Sequence, residues 1–96
     1  MAQKIEGKVV SVDQNGDLVT DITANQLTDV SRDERVFVSC DEHETMGIYG
    51  PDHGQPEMTL LAVINDAGYL KLSIVGESAR LMLGIDVGEK VVVSWT

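Results

Sequence analysis

The chain of 96 residues carries one cysteine, Cys40. A lone cysteine closes no intramolecular disulfide, so nothing in it points to secretion. Basic residues are also scarce, seven against sixteen acidic, for a net charge of −9. A duplex phosphate backbone is held by clustered Lys and Arg, whereas only Arg32 and Arg35 lie close together here. That scatter argues against nucleic acid and against anionic lipid as partners, and an acidic surface serves mainly solubility. The longest apolar run, LLAVI at Leu60–Ile64, is far short of the ~20 residues that cross a bilayer as a helix. The N-terminal MAQKIEGKVV has no basic segment followed by an apolar run, so it is not read as a signal peptide. These absences lead to the expectation of a single cytoplasmic domain spanning residues 1–96.

Hydrophobic residues make up 43% of the chain, enough for a core without disulfides or a metal at this length. Strand signals dominate. GKVVSV (Gly7–Val12) and LVTDI (Leu18–Ile22) flank an Asn-Gly turn, the strongest short-range hairpin cue. ERVFVSC (Glu34–Cys40) alternates, with Val36, Val38 and Cys40 on one face. MTLLAVIN (Met58–Asn65) is apolar on both faces, which predicts a central strand covered on each side. In YLKLSIV, Leu70, Leu72 and Ile74 point inward and Lys71 and Ser73 outward; EKVVVSW (Glu89–Trp95) supplies the last strand.

Two short stretches read as helix. ITANQL predicts a single turn with Thr23 at its N-cap, and GESARLMLG places Ala79, Met82 and Leu83 on one face before a C-cap at Gly84. GIYGPDHGQPE (Gly47–Glu57) holds both prolines and three glycines and reads as one long irregular loop. Six or seven short strands with one or two short helices define an all-β domain, a small antiparallel barrel or sandwich.

Asp13, Asn15 and Asp17 stand at alternate positions of the first turn, as in positions one, three and five of an EF-hand loop. The sixth position is Leu18 rather than Gly and the twelfth is Ala24 rather than Glu, so the spacing reads as a hairpin turn. Cys40, His43 and His53 are ligand types for zinc, but Cys-x2-His and then nine intervening residues before the next His match no common zinc pattern. Cys40 also shares the inward face with Val36 and Val38, where a thiol behaves as a small hydrophobe. No metal site is therefore assigned. None of Ser39, Ser73, Ser78 and Ser94 stands in a Gly-x-Ser-x-Gly context, and the acidic run Cys40–Glu44 reads as a solvated strand end or turn.

Three segments, GKVVSVDQNGDLVTDI, LLAVINDAGYLKLSI and GESARLMLGIDVGEKVVV, together resemble the C-terminal β-barrel domain of the S-adenosylmethionine hydroxide adenosyltransferases and the related fluorinating enzymes. The resemblance implies a barrel that, with a preceding α/β domain, forms a nucleoside and methionine pocket. It places Asp13, Asn15, Asp17, Asn65 and Asp66 at the ligand. Asp13, Gly16, Thr20, Ile22, Asn65, Gly68 and Leu70 agree with the family pattern. Asn15 replaces an aromatic, Asp17 and Asp21 replace asparagines, and Asp66 replaces a serine. Losing the ring removes a stacking surface worth about 0.5–1.5 kcal/mol, and carboxylates in place of amides keep only acceptors.

The expectation is a domain with no catalytic residues of its own that acts as a self-association or partner-binding module. It forms a homo-oligomer or meets an α/β partner, since these 96 residues leave no room for the family's α/β half. The alternatives are a subunit of an adenosine-forming hydrolase completed by an α/β protein, and a small-molecule or metal-binding module. No cofactor is expected; S-adenosylmethionine or adenosine enters only through the resemblance.

Overall fold

The computed structural model describes residues 3–95. Seven strands run in chain order: β1 Gln3–Val12, β2 Leu18–Thr23, β3 Val36–Cys40, β4 His43–Met46, β5 Leu60–Ile64, β6 Tyr69–Ile74 and β7 Lys90–Trp95. They form one antiparallel sheet in the order β4-β3-β7-β1-β2-β6-β5 that curls into a nearly closed barrel. A 3-10 turn, Asn25–Leu27, follows β2, and a short helix α1, Ala79–Leu83, precedes β7. The all-β fold expected from the strand pattern is what the chain adopts.

The barrel curls because β1 bends. Its first half pairs with β7, Gln3↔Trp95 through Lys8↔Lys90. Its second half pairs with β2, and the register slips between Val9 and Ser11. Such a bulge increases local twist and turns a strand from one side of a barrel to the other. Gly7 stands at the bend for want of room, since a Cβ there would lie 2.5 Å from Asp21 Oδ1 and from Ile22 Cγ1. The Lys8 amide donates to Asp21 Oδ1 at 3.0 Å. Asp21, which stands where the family pattern has an asparagine, thus holds the backbone of the bend.

Inward positions alternate as period two requires. Val9, Leu18, Ile22, Val36, Val38, Leu70, Leu72, Val91 and Val93 are all buried. Thr20 is the polar member of this core, and its hydroxyl donates to the Leu70 carbonyl at 2.6 Å while accepting the Ile22 amide at 3.2 Å. A buried hydroxyl with both functions satisfied adds no desolvation penalty.

Three expectations change. MTLLAVIN does form a strand covered on both faces, with Leu61, Ala62 and Val63 buried, but β5 lies at the end of the ladder and not at its centre. Its open edge is covered by a loop residue: the Tyr49 amide donates to the Ala62 carbonyl at 2.9 Å and the Ile64 amide to the Tyr49 carbonyl at 3.0 Å. The Thr45 hydroxyl reaches the Leu60 carbonyl at 3.1 Å and bridges β4 to β5. The acidic run Cys40–Glu44 is a strand end and turn as expected: it closes β3, turns tightly with Asp41 at a φ of 56°, and opens β4. In α1, Ala79 is buried as expected, but Met82 is 51% exposed. Gly84 caps the helix as expected, with φ 67°. The N-cap of the 3-10 turn is Ala24, without a side-chain cap, and not the expected Thr23. Thr23, one residue earlier, and Gln26 accept each other's amides at 3.3 and 2.8 Å, the hydrogen-bond pattern of a capping box.

The first turn is locked onto α1. The Arg80 amide donates to the Gly16 carbonyl at 2.9 Å, and a Cβ on Gly16 would overlap the side chain of Ser78. Gly16 has φ 83° and Gly68, in the β5–β6 turn, φ 87°, yet a Cβ on Gly68 meets open space. Gly68→Ala is therefore expected to cost about 1–2 kcal/mol, the strain of a left-handed residue. Gly16→Ala adds the clash with Ser78 and should cost about 3 kcal/mol or more. Urea denaturation of the two variants checks this; equal losses would mean that the turn does not depend on its seat against α1.

Candidate functional site

The β1–β2 and β5–β6 turns are built alike, bond for bond. In the first, Asp13 Oδ1 accepts the amides of Asn15 and Asp17 at 2.9 and 3.0 Å. The Gly16 amide donates to the Asp13 carbonyl at 3.0 Å, and the Asp13 amide to the Asp17 carbonyl at 3.1 Å. In the second, Asn65 Oδ1 accepts Ala67 and Tyr69 at 3.0 and 2.9 Å. There Gly68 donates to the Asn65 carbonyl at 3.0 Å and Asn65 to the Tyr69 carbonyl at 2.9 Å. Each is an Asx turn followed by a glycine in the left-handed region. The opening Asp and Asn are thus engaged by their own backbones.

The two turns converge on an open cleft of about 620 Å³. Asn15 and Asp17 line it from the first turn, Asn65 and Asp66 from the second. Lys71 and Ser73 of β6 form its floor, the segment from Val75 to Ser78 its far wall, and Pro51 and His53 of the long loop its remaining side. Of the five residues that the resemblance places at a ligand, four reach this wall; Asp13 sits behind it.

Lys71 is the residue that sequence reasoning left out of the site. Read as an outward strand position, it lies along the cleft with its Nζ 2.9 Å from Asp17 Oδ2 and 3.6 Å from Asp13 Oδ2. Asp17 is 5% exposed, and a carboxylate so buried requires a partner. Partial burial by itself would lower the Lys71 titration, but the hydrogen bond and charge of Asp17, with Asp13 behind it, outweigh that and raise it above the ordinary value of 10.5. The place between the two carboxylates, where a calcium reading would put a cation, is taken by an ammonium of the chain itself. The signal was a single Lys among acids, which only the Val19↔Lys71 pairing of β2 with β6 resolves.

Cys40, His43 and His53 do not come together. Cys40 and His43 face each other across the β3–β4 turn. Burial, with Glu89 and Asp41 adding to it, pushes the buried Cys40 thiol up to about 11, so at neutral pH it is an uncharged thiol packed among the core residues. His53 stands at the cleft, where its Nδ1 accepts the Gln55 amide at 2.9 Å. Among the described residues, no three His, Cys, Asp or Glu side chains are grouped to hold a metal ion, and no helix is long and apolar enough to cross a membrane.

An antiparallel barrel with a polar cleft between two Asx turns defines the class. The model of the S-adenosylmethionine hydroxide adenosyltransferase C-terminal domain matches residues 7–92, and the chain belongs to that family. It is also similar to two solved structures. One is an uncharacterized conserved protein from Thermotoga maritima, at 24% identity and TM-score 0.78, covering 94% of this chain and 35% of that one. The other is a conserved hypothetical protein from Thermus thermophilus, at 24% identity and TM-score 0.70, covering 90% and 33%. The chain thus spans about a third of the length of the solved proteins it matches, and at this identity the likeness is one of fold. No protein of curated function matches it.

Lys71→Met is expected to cost about 3 kcal/mol, since it strands the Asp17 carboxylate in its buried place. The pH sign follows from the raised titration of Lys71: the stabilisation is full below 10.5 and is lost as pH rises through the higher folded value. Denaturant midpoints measured up the alkaline range should therefore fall more steeply for wild type than for Lys71→Met. Parallel profiles would show that the ammonium contributes nothing.

Proposed function

We propose that this domain is a binding module whose cleft forms one wall of a composite site, completed by a second polypeptide unit, joined to it or separate. The observation that carries this is the convergence of the two turns on an open cleft whose buried carboxylate, Asp17, is paired within the chain. Asp13 is held by turn amides and Lys71, and Asp17 by Lys71. Neither is free to serve as a general base without first losing a partner. Lys71, raised and ion-paired, stays an ammonium and takes no proton from Ser73. The Ser78 hydroxyl accepts the Leu81 amide at 3.2 Å as the N-cap of α1. The Nδ1 of His53 is occupied by the Gln55 amide at 2.9 Å. Among the described residues neither Ser73 nor Ser78 hydrogen-bonds to a carboxylate or an imidazole, the pairing that activates a nucleophilic hydroxyl.

The lengths of the similar proteins agree with this reading: in both, the part like this chain is accompanied by about twice as much polypeptide. Exposed Leu81 and Met82 on α1, at 76% and 51%, lie a few residues beyond the cleft-lining Ser78. They give a second unit, or a second copy, apolar surface to cover. Family membership favours one further version of the reading, in which an α/β unit completes the cleft as an adenosyl-transferring site that uses S-adenosylmethionine. Adenosyl binding then belongs to the assembled site, because this chain has Asn15 where the resemblance expects an aromatic ring.

Calorimetric titration of the isolated domain with S-adenosylmethionine and with adenosine tests the proposal. The expected result is no binding tighter than about 100 μM, or roughly −5.5 kcal/mol, and no adenosine released. Tight binding, or cleavage by the domain alone, would overturn it.

A further inference from the structure

The segment from Gly50 to Glu57 forms one side of the cleft and is anchored only at its ends. On the near side Tyr49 pairs with the edge of β5, and on the far side the Met58 amide donates to the Val75 carbonyl at 2.8 Å. A Cβ on Gly50 or on Gly54 would meet nothing within 4 Å, and along the segment His53 and Gln55 are half-buried while the other residues are exposed. Between the anchors, the hydrogen bond that ties the segment together among the described residues runs from the Gln55 amide to His53 Nδ1, at 2.9 Å.

That bond has the same connectivity as three Asp and Asn turns in this protein. Asp13 accepts the amide of Asn15, Asp33 that of Arg35, and Asn65 that of Ala67, each from the residue two positions on. A side-chain acceptor bonded to the amide two residues ahead is the Asx turn. His53 makes this turn with an imidazole, and here the chemistry differs. A neutral imidazole has one acceptor nitrogen; a protonated one has two donors and none. Imidazole is also the side chain whose ordinary titration lies between about pH 5 and 8.

We propose that His53 is a proton-operated latch on the cleft wall: neutral, it holds the Gly50–Glu57 strap in its turn, and protonated, it sets the Gln55 amide free. In the charged ring an N–H at Nδ1 faces the Gln55 N–H, donor against donor. Across the cleft stand Asp17, Asp66 and Glu77, with Lys71 as the cation, and Asp52 and Glu57 flank the ring on its own segment. Release therefore changes both the order of the strap and the charge of the wall that it forms. The latch is a property of the free domain; its effect on what the cleft binds rests on the function proposed above.

Nuclear magnetic resonance of the purified domain, with no ligand or partner present, tests the latch separately from that function. As pH falls through the titration of the His53 ring, followed by its own carbon-bound protons, the Gln55 amide should lose its hydrogen-bonded chemical shift. The backbone relaxation of residues 50–57 should report greater motion over the same range. His53→Asn supplies an acceptor that does not titrate, as at Asn65, and should keep the bonded shift at both ends of the range. His53→Ala should show the released state at every pH. A Gln55 amide that ignores the protonation of His53, or an Asn variant that titrates like wild type, would overturn the proposal. His43, on β4, is the internal control, since its titration should leave Gln55 unmoved.

Discussion

The arrangement of the cleft depends on a buried carboxylate that has to be answered. Asp17 sits at the end of the first hairpin turn with almost no access to water, and Lys71 reaches it from β6 across the β2–β6 ladder. An isolated charge in such a place would cost several kcal/mol. The ion pair therefore fixes where the turn lies relative to β6. The turn in turn fixes α1, because the Gly16 carbonyl accepts the amide of Arg80 in the helix's first turn and Gly16 has no side chain to hold Ser78 away. Hairpin, strand and helix thus meet through one ion pair and one tight contact, and the cleft is the space left between them.

Much of this was legible in the sequence, and the rest was not for identifiable reasons. Period-two alternation marked β3 and β6 with their inward residues correct, because one face of each is solvated. The Asn-Gly cue located the first hairpin, although the turn is a three-residue loop ending in a left-handed glycine and not the two-residue form. β4 escaped because His43–Met46 has no apolar alternation: it is a short edge strand held by the ladder to β3 and by Thr45. β5 looked central because covering both faces is what a central strand needs, yet a loop residue, Tyr49, supplies part of the cover. Local pattern reports burial; it does not report which element does the burying.

The site residues divide in the same way. Family resemblance pointed to two turns, and both border one cleft. Their roles could not be read from residue type, since an Asp opening a turn can serve a ligand or its own backbone. Asp13, Asn65 and Asp21 all accept from main-chain amides of this domain. At Asp21 the exchange of an amide for a carboxylate leaves the bond to the Lys8 amide possible, since either oxygen accepts. Lys71 was invisible as a site residue because its partners are remote in sequence and adjacent only after β2 and β6 pair.

A charge can be committed to structure or kept for binding, and the cleft separates the two. Its deep charges, Asp17 and Lys71, are committed to each other, and any ligand group that took one would leave the other unpaired at a cost of about 3–5 kcal/mol. Its shallow ones, Asp66 and Glu77, are exposed and gain little from a lone small molecule that leaves them in water. Such groups gain when a large surface closes over them, excludes solvent and lowers the local dielectric. On the function proposed above, such a wall meets a macromolecular partner rather than a free small ligand. That follows from how its charges are buried, not from how many there are.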